Sequence, residues 1–275
     1  MSIDLNATHR IEALAATLLR LPETEIARAL GGDASSPLHS LLNLEADKGF
    51  SAAYAPFDWV NERADIILVG ITPGLRQATD ALTTLRARLR AGATIEEAAK
   101  NAKSYASFNG MRDLAAQLMD SLGLADAFGL NSCDVLFGKE SGRVHSTSVL
   151  RYPVFKNGKG FSGDKRIMQR GMMRAMVDQY LVPELASLPN AWIVPFGVYA
   201  LTALETLVAE GKLDGDRLLG GVLHPSGQQW NRYKVQLGIT TGAAALAVPG
   251  GRDVMARSEA LRSKASLIGR RRLVA

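Results

Sequence analysis

Cysteine is almost missing from this chain of 275 residues, and its scarcity excludes several classes of site. Cys133 is the only cysteine, so an intramolecular disulfide cannot form. A single thiol also excludes a four-cysteine iron–sulfur cluster and a structural zinc site made of cysteines. Histidine is scarce too, and its positions show no pairing at the spacing of metal ligands: His9, His39, His145 and His224. We therefore expect no metal site.

Long apolar segments are also missing. No apolar run is long enough to cross a bilayer, and Met1–Leu5 lacks the basic region and apolar stretch of a signal peptide. We expect a cytoplasmic protein without membrane contacts. Hydrophobic residues nevertheless make up 47% of the chain, which is sufficient for a full core.

Acidic residues are outnumbered, and the formal net charge is +5. A basic protein favours anionic partners such as nucleic acid, although lysine and arginine also cover ordinary helix faces. The end of the chain is rich in cations, at Arg252, Arg257, Arg262, Lys264, Arg270, Arg271 and Arg272. This segment is either a solvated helix or an arm that faces DNA.

Short apolar runs alternate with amphipathic helical segments along the middle of the chain. Asp65–Val69, Trp192–Phe196 and Gly220–Leu223 have the length and composition of buried strands. This alternation predicts an α/β fold: a three-layer α/β/α sandwich whose mostly parallel central sheet has helices on both faces. We divide the chain into a helical N-terminal extension (1–60), an α/β domain (61–250) and a basic C-terminal tail (251–275).

Capping residues, turn residues and periodicity predict several local elements. Helices are expected over Ile11–Leu19, over Thr24–Leu30, from Pro37 through Leu44, over Ala81–Leu89, from Thr94, over Met111–Leu122, over Met168–Val182 and over Tyr199–Val208. Pro183 directly follows the predicted helix Met168–Val182. Asn157-Gly158 predicts a hairpin turn, and a short strand after Gly129 would carry Asn131 near its start.

Two loops directly follow predicted strands. Gly70-Ile71-Thr72-Pro73-Gly74 follows the first strand, and His224-Pro225-Ser226-Gly227 follows Gly221-Val222-Leu223. Ligands bind at the carboxyl ends of strands in open α/β sheets, so we expect the two loops to face each other across one cleft. Taken alone, the first loop is typical of an ordinary βα turn, and a His-Pro pair is more often structural than catalytic.

Together, the two loops resemble the signature motifs of the uracil-DNA glycosylase superfamily, a Gly-x-x-Pro-Gly loop and a His-Pro-Ser loop. The resemblance extends from about Asp65 to about Gln236. It implies an enzyme that hydrolyses the N-glycosidic bond of uracil, or of a related deaminated base, after the base is flipped out of DNA. DNA would be the partner, and no cofactor would be needed.

The resemblance assigns the catalytic roles to His224 and Thr72. A neutral imidazole N–H of His224 would donate to the carbonyl oxygen of the leaving base, where negative charge develops. The alternative is a histidine that caps its own loop. Thr72 stands where active relatives often have Asp or Asn. It cannot act as a carboxylate base, but its hydroxyl can hold a water.

The base itself would be recognised by three residues. The Ile71 backbone N–H would contact it, the Asn131 amide matches the edge of a uracil-like base, and Phe108 would stack on it. Asn131 is equally explained as a turn residue. Phe108 is also explained as a core side chain.

The remaining candidates would contact DNA phosphates or the DNA backbone: Pro73, Gly74, Ser226, Gly227, Lys156, Lys159 and Arg232. Ser226 is alternatively a helix N-cap. Trp230 follows the second motif, where relatives insert a wedge into DNA, or else it is a core aromatic. A second hypothesis for the chain is a catalytically silent member that binds DNA or a nucleobase, which Thr72 favours. A third is an unrelated enzyme that binds a phosphate-bearing small molecule at Gly70–Gly74.

Overall fold

A computed structural model describes the backbone of residues 5–274 and the side chains of residues 7–270. Its α-helices are α1 (Leu5–Arg20), α2 (Thr24–Leu30), α3 (His39–Leu42), α4 (Leu75–Arg90), α5 (Ile95–Ala106), α6 (Arg112–Asp120), α7 (Leu124–Phe128), α8 (Gly171–Met176), α9 (Val182–Ala186), α10 (Val198–Ala209), α11 (Trp230–Gln236), α12 (Gly242–Ala247) and α13 (Gly251–Val274). Its strands are β1 (Asn43–Asp47), β2 (Phe50–Ala53), β3 (Ile66–Gly70), β4 (Val144–Ser148), β5 (Val154–Lys156), β6 (Lys159–Gly160) and β7 (Trp192–Pro195). The protein is therefore of the α/β class, as predicted.

None of the helices within residues 5–274 is both long enough and apolar enough to span a membrane. The side chains of Arg271 and Arg272, which belong to the predicted basic tail, lie outside the described part of the chain.

The chain forms two compact units, and each is assembled from separate segments. The first unit contains the segment that ends at Glu62, together with Ile71–Asn109 and His145–Pro189. The second contains Arg63–Gly70, Gly110–Val144 and the chain from Asn190 onward. The segment predicted as an N-terminal extension is thus packed into one unit with two later segments.

The first unit contains an antiparallel sheet with the order β1-β2-β5-β6. The predicted hairpin is confirmed, because Lys156 pairs with Lys159 around Asn157 and Gly158, which have φ values of 49° and 73°. The helix predicted to run through Leu44 is wrong. It ends at Leu42, because the following residues pair with β2, and this tertiary pairing overrides the local helix propensity.

The helical segment before Glu184 also differs from its prediction. Pro183 does not end a helix but lies in the first turn of α9, directly after the π-helical turn Val177–Leu181. Proline removes one backbone donor and crowds the preceding turn. The wider π turn relieves that crowding, so the chain stays helical from Gly171 to Ala186.

The parallel sheet of the second unit centres on β3, which is buried along its whole length. In the second unit, β3 and β7 run parallel, with Val69 opposite Pro195. The predicted strand Gly220–Leu223 is wrong as a full strand, since only a single parallel bridge joins Val222 to Phe196. The Gln236 side chain bonds the backbone on either side of Val222, where a further strand would otherwise pair.

Gly197, which precedes α10, has a positive φ of 86°, and a Cβ added there would lie 3.0 Å from the His224 Cβ. We expect Gly197→Ala to lower the free energy of unfolding by about 1–3 kcal/mol through backbone strain and this contact. Gly171→Ala is the matched control, because nothing lies within 4 Å of its added Cβ. Urea unfolding of both variants measures the difference, and equal stabilities would contradict the expected strain.

Candidate functional site

Three chain segments end at the same level on one edge of the parallel sheet in the second unit. Val69 lies opposite Pro195, and the next residue, Phe196, lies opposite Val222. Gly70 is therefore the last residue of β3, and Gly197 and His224 follow the carboxyl ends of the two segments beside it. This is the edge at which α/β proteins bind ligands.

The His224–Gly227 loop is held in shape by two buried side chains of α11. The Tyr233 hydroxyl donates to the His224 carbonyl at 2.8 Å and accepts from the Gly227 N–H at 3.2 Å. The Ser226 N–H also donates to the His224 carbonyl, at 2.9 Å. The Gln236 amide accepts from the Leu223 N–H and donates to the Gly221 carbonyl, which fixes the approach to the loop.

The imidazole of His224 is half-buried and unbonded. Within the described residues, neither ring nitrogen makes a hydrogen bond, so this histidine does not cap its own loop through the ring. Burial lowers the pKa of His224. The ring is therefore neutral near pH 7 and retains an N–H that can donate to a ligand. Ser226 is exposed and is not the N-cap of α11, which is Gln229.

The Thr72 hydroxyl has partners of its own in the first unit. It donates to the Tyr152 carbonyl at 3.0 Å and accepts from the Val154 N–H at 3.2 Å. The Leu150 N–H donates to the Ile71 carbonyl at 2.9 Å. The backbone at Ile71 and Thr72 is therefore joined side by side to the segment from Leu150 to Val154. Pro73 is buried, whereas Gly74 is exposed.

One glutamine joins this loop to the segment that contains Phe108. Gln77 accepts from the Gly74 N–H at 3.0 Å and donates to the Ala106 carbonyl at 3.3 Å. Phe108 is buried, with a positive φ of 55°, which is an unusual conformation for a bulky side chain. Its burial favours a core role, although such strain is also found at functional sites.

Asn131 does not lie on a strand, and that prediction is wrong. It occupies an exposed bend before the 3₁₀ helix Cys133–Phe137. The cause is local hydrogen bonding around Asp120, which accepts from the Ser132 hydroxyl and from the Cys133 N–H, each at 2.7 Å. Ser132 also caps the 3₁₀ helix, and these bonds turn the chain away from an extended path.

Of the cations predicted to contact phosphates, the two hairpin lysines are exposed, whereas Arg232 bonds a backbone carbonyl. Lys156 and Lys159 are exposed at the hairpin, with the Lys156 Nζ 5.7 Å from the centre of the Phe50 ring. Arg232 donates to the Pro249 carbonyl at 2.8 Å, which gives it a structural partner. Trp230 is 57% exposed, so it is not a core aromatic.

The predicted basic tail is helix α13, and some of its cations are likewise engaged. The Arg262 guanidinium donates to the carbonyls of Ser121 and Gln236. The Lys264 ammonium donates to the carbonyls of Gly215 and Leu218. Both side chains hold the helix in the second unit.

A buried cluster in the first unit, which we call the Glu184 cluster, was not predicted. Glu184 Oε1 accepts from Lys103 Nζ at 3.3 Å and from His145 Nε2 at 2.6 Å. Its Oε2 accepts from the Thr147 hydroxyl at 3.0 Å and from the Arg151 guanidinium at 2.9 and 3.3 Å. Burial alone would raise the pKa of Glu184, but the charges of Arg151 and Lys103 hold it well below its usual value.

Asp58 is the second carboxylate of the Glu184 cluster. It accepts from the Tyr54 hydroxyl at 2.9 Å and from the Tyr152 hydroxyl, with Arg151 Nη1 3.9 Å away. Burial raises the pKa of Asp58, against the opposing effects of Arg151 and of the two hydroxyl donors.

One sequence signal for this cluster exists on α5. Lys103 occupies the face formed by the buried alanines Ala99, Ala102 and Ala106, where an apolar residue is expected. A buried lysine requires a partner, but spacing alone could not identify Glu184, which is 81 residues away. Among the described residues, no group of three or more His, Cys, Asp or Glu side chains could hold a metal ion.

These features define an α/β protein whose parallel sheet carries a His-Pro-Ser loop at its carboxyl edge. The chain is similar to the uncharacterized protein YoxB of Bacillus subtilis (strain 168), with 35% identity over 185 residues that cover 66% of this chain and 72% of YoxB. The chain therefore belongs to the same family as YoxB. No family model and no solved structure matches it.

His145 makes the stability of the first unit depend on pH. Its Nδ1 accepts from the Asn61 N–H at 3.3 Å, so its single proton lies on Nε2, which faces Glu184. Burial lowers the pKa of His145 from 6.5 to about 4. The unfolded chain therefore binds more protons between these values, and we expect up to about 3 kcal/mol of stability to be lost as pH falls through them.

His145→Gln tests this dependence, because its amide keeps one donor and one acceptor but does not titrate. Urea unfolding between neutral pH and about pH 4.5 should show a flatter profile for the variant than for the wild type. This pH range lies at or above the usual pKa of a glutamate. The contribution of Glu184 to the free energy of unfolding is lost only at lower pH, so it does not affect the comparison. Parallel profiles for the two proteins would show that His145 is not the titrating group.

Proposed function

We propose that the protein is a DNA base-excision glycosylase that hydrolyses the bond between the sugar and uracil, or a related deaminated base. The observation that carries the proposal is the neutral imidazole of His224 at the carboxyl edge of the parallel sheet, whose ring nitrogens bond none of the described residues. The proposal includes the finer α/β/α arrangement shared by the superfamily that the two loops resemble. That the Gly70–Gly74 and His224–Gly227 loops face each other stays a prediction.

His224 would act by donating a hydrogen bond to the base as it leaves. Cleavage moves negative charge onto a carbonyl oxygen of the base, and a fixed donor stabilises that charge more than it stabilises the substrate. Tyr233 fixes the backbone that carries the imidazole, because its hydroxyl bonds both ends of the loop. A neutral ring suits this role, since it donates without first having to lose or gain a proton.

The second candidate function is a catalytically silent protein that binds DNA or a nucleobase. The observation that favours it is the Thr72 hydroxyl, whose proton is donated to the Tyr152 carbonyl. A threonine so engaged cannot take a proton from water as a carboxylate can. Retained DNA binding without cleavage would support this candidate.

His224→Ala tests the leading proposal. Loss of one donor to a developing oxyanion lowers rates by about 10²–10³, and we expect a decrease of this size in single-turnover cleavage of a uracil-containing oligonucleotide. His9→Ala is the matched control, because His9 is an exposed histidine of α1 whose ring bonds its neighbour Glu12. Equal cleavage by the wild type and both variants would contradict the assignment of His224.

Salt dependence tests the predicted phosphate contacts. Each lysine–phosphate contact contributes about 0.9 to the slope of log affinity against log salt. The double variant Lys156→Ala/Lys159→Ala should therefore lower the slope for DNA binding by nearly two. Arg63→Ala/Lys139→Ala removes the same charge from exposed positions elsewhere. If both double variants change the slope equally, the hairpin lysines make no specific contact.

A further inference from the structure

The Tyr152 side chain is held on three sides within the Glu184 cluster. Its hydroxyl donates to Asp58. Its ring packs edge-on against Tyr180, with ring centres 5.0 Å apart, and in a tilted arrangement against Tyr54, with ring centres 5.5 Å apart. The residue is almost fully buried, so neither the ring nor the hydroxyl has another position available without breaking these contacts.

The neighbouring Arg151 is held just as firmly. Its guanidinium donates to Glu184, and its Nη2 also donates to the Tyr180 carbonyl at 3.0 Å. The same group lies 5.2 Å from the centre of the Tyr180 ring. Two consecutive side chains thus fix the backbone of residues 151–152, including the Tyr152 carbonyl.

That carbonyl determines how the Thr72 hydroxyl is oriented. A hydroxyl has one proton and two lone pairs. The proton is donated to the Tyr152 carbonyl, and one lone pair accepts from the Val154 N–H. The lone pair that remains can only accept, so a water bound at Thr72 has to donate to it. The direction of that hydrogen bond is set by the protein.

We propose that Tyr152, anchored by Asp58 and supported by Arg151 and Glu184, is a positioning residue that presents Thr72 to the attacking water as a hydrogen-bond acceptor. The inference rests on the proposed glycosylase function. This orientation explains how Thr72 can accept a hydrogen bond from the attacking water at a position where an Asp or Asn oxygen is expected. As the water oxygen bonds to the sugar carbon, the bond to the base breaks with its electron pair on the base. The proton that the water loses ends on the released base, because Thr72 only accepts a hydrogen bond and takes no proton.

Tyr152→Phe removes the anchoring hydroxyl but keeps the ring and the carbonyl. Small misplacements of reacting groups can lower rates by up to about 10²-fold. We expect kcat for uracil excision to fall by between about tenfold and that limit, with KM unchanged. Tyr180→Phe is the matched control, since the Tyr180 hydroxyl makes no hydrogen bond within the described residues and its ring is kept. Equal kcat values for the two variants would overturn the proposal.

A double-mutant cycle separates positioning from general destabilisation. Thr72→Val removes the hydroxyl and should lower kcat. Thr72→Ser keeps the hydroxyl and should retain most of the wild-type kcat. If Tyr152 acts through Thr72, then Tyr152→Phe has no further effect on kcat in the Thr72→Val protein. Additive losses would show that Tyr152 supports the fold only, and the proposal would fail.

Amide exchange at Val154 tests the positioning without activity. Its N–H donates to the Thr72 hydroxyl, so we expect faster exchange in Tyr152→Phe than in Tyr180→Phe. Unchanged exchange overturns the inference, whether or not the enzyme is active. A wild type that cleaves no uracil-containing DNA but shows the expected exchange difference would instead refute the proposed function and leave the anchoring of Thr72 supported.

Discussion

The buried ion pair between Glu184 and Arg151 is the interaction on which the first unit depends. Removing a charge from water costs several kcal/mol, and pairing offsets that cost only when the remaining polar atoms are also bonded. Both Glu184 oxygens meet that condition, because Lys103, His145 and Thr147 complete their hydrogen bonds. Directional bonds of this kind fix the positions of distant segments more narrowly than apolar contacts do.

Local signals predicted those elements whose boundaries depend on neighbouring residues. Helix α5 follows Thr94 as predicted, and Thr94 forms a capping box with Glu97 there; α4 ends at Arg90, one residue after the predicted Leu89. The errors lie where distant segments decide the outcome. Asn43–Asp47 became a strand because β2 pairs with it, and a π turn kept the chain helical up to and beyond Pro183.

In the candidate site, too, features that depend on neighbouring residues could be predicted and features that depend on distant residues could not. The His224–Gly227 loop could be located because a strand-like apolar run, a proline and a glycine adjoin one another in the sequence. Its support by Tyr233 could not be predicted, because a tyrosine on a short helix is equally typical of a core residue. The Glu184 cluster was missed for a related reason. Its charged members are spread from Asp58 to Glu184, and local sequence marks only Lys103, which lies on the alanine face of α5, without indicating its partners.

The division of each unit among three chain segments has a consequence for synthesis on the ribosome. Lys103 and Arg151 emerge before their common partner Glu184. Until that carboxylate has left the exit tunnel, both cations remain hydrated and the core around them cannot close. Contacts between such distant residues also slow folding, because a long loop has to be ordered before they form. The amino-terminal helices therefore stay partly exposed until the segment that contains Glu184 has been synthesised.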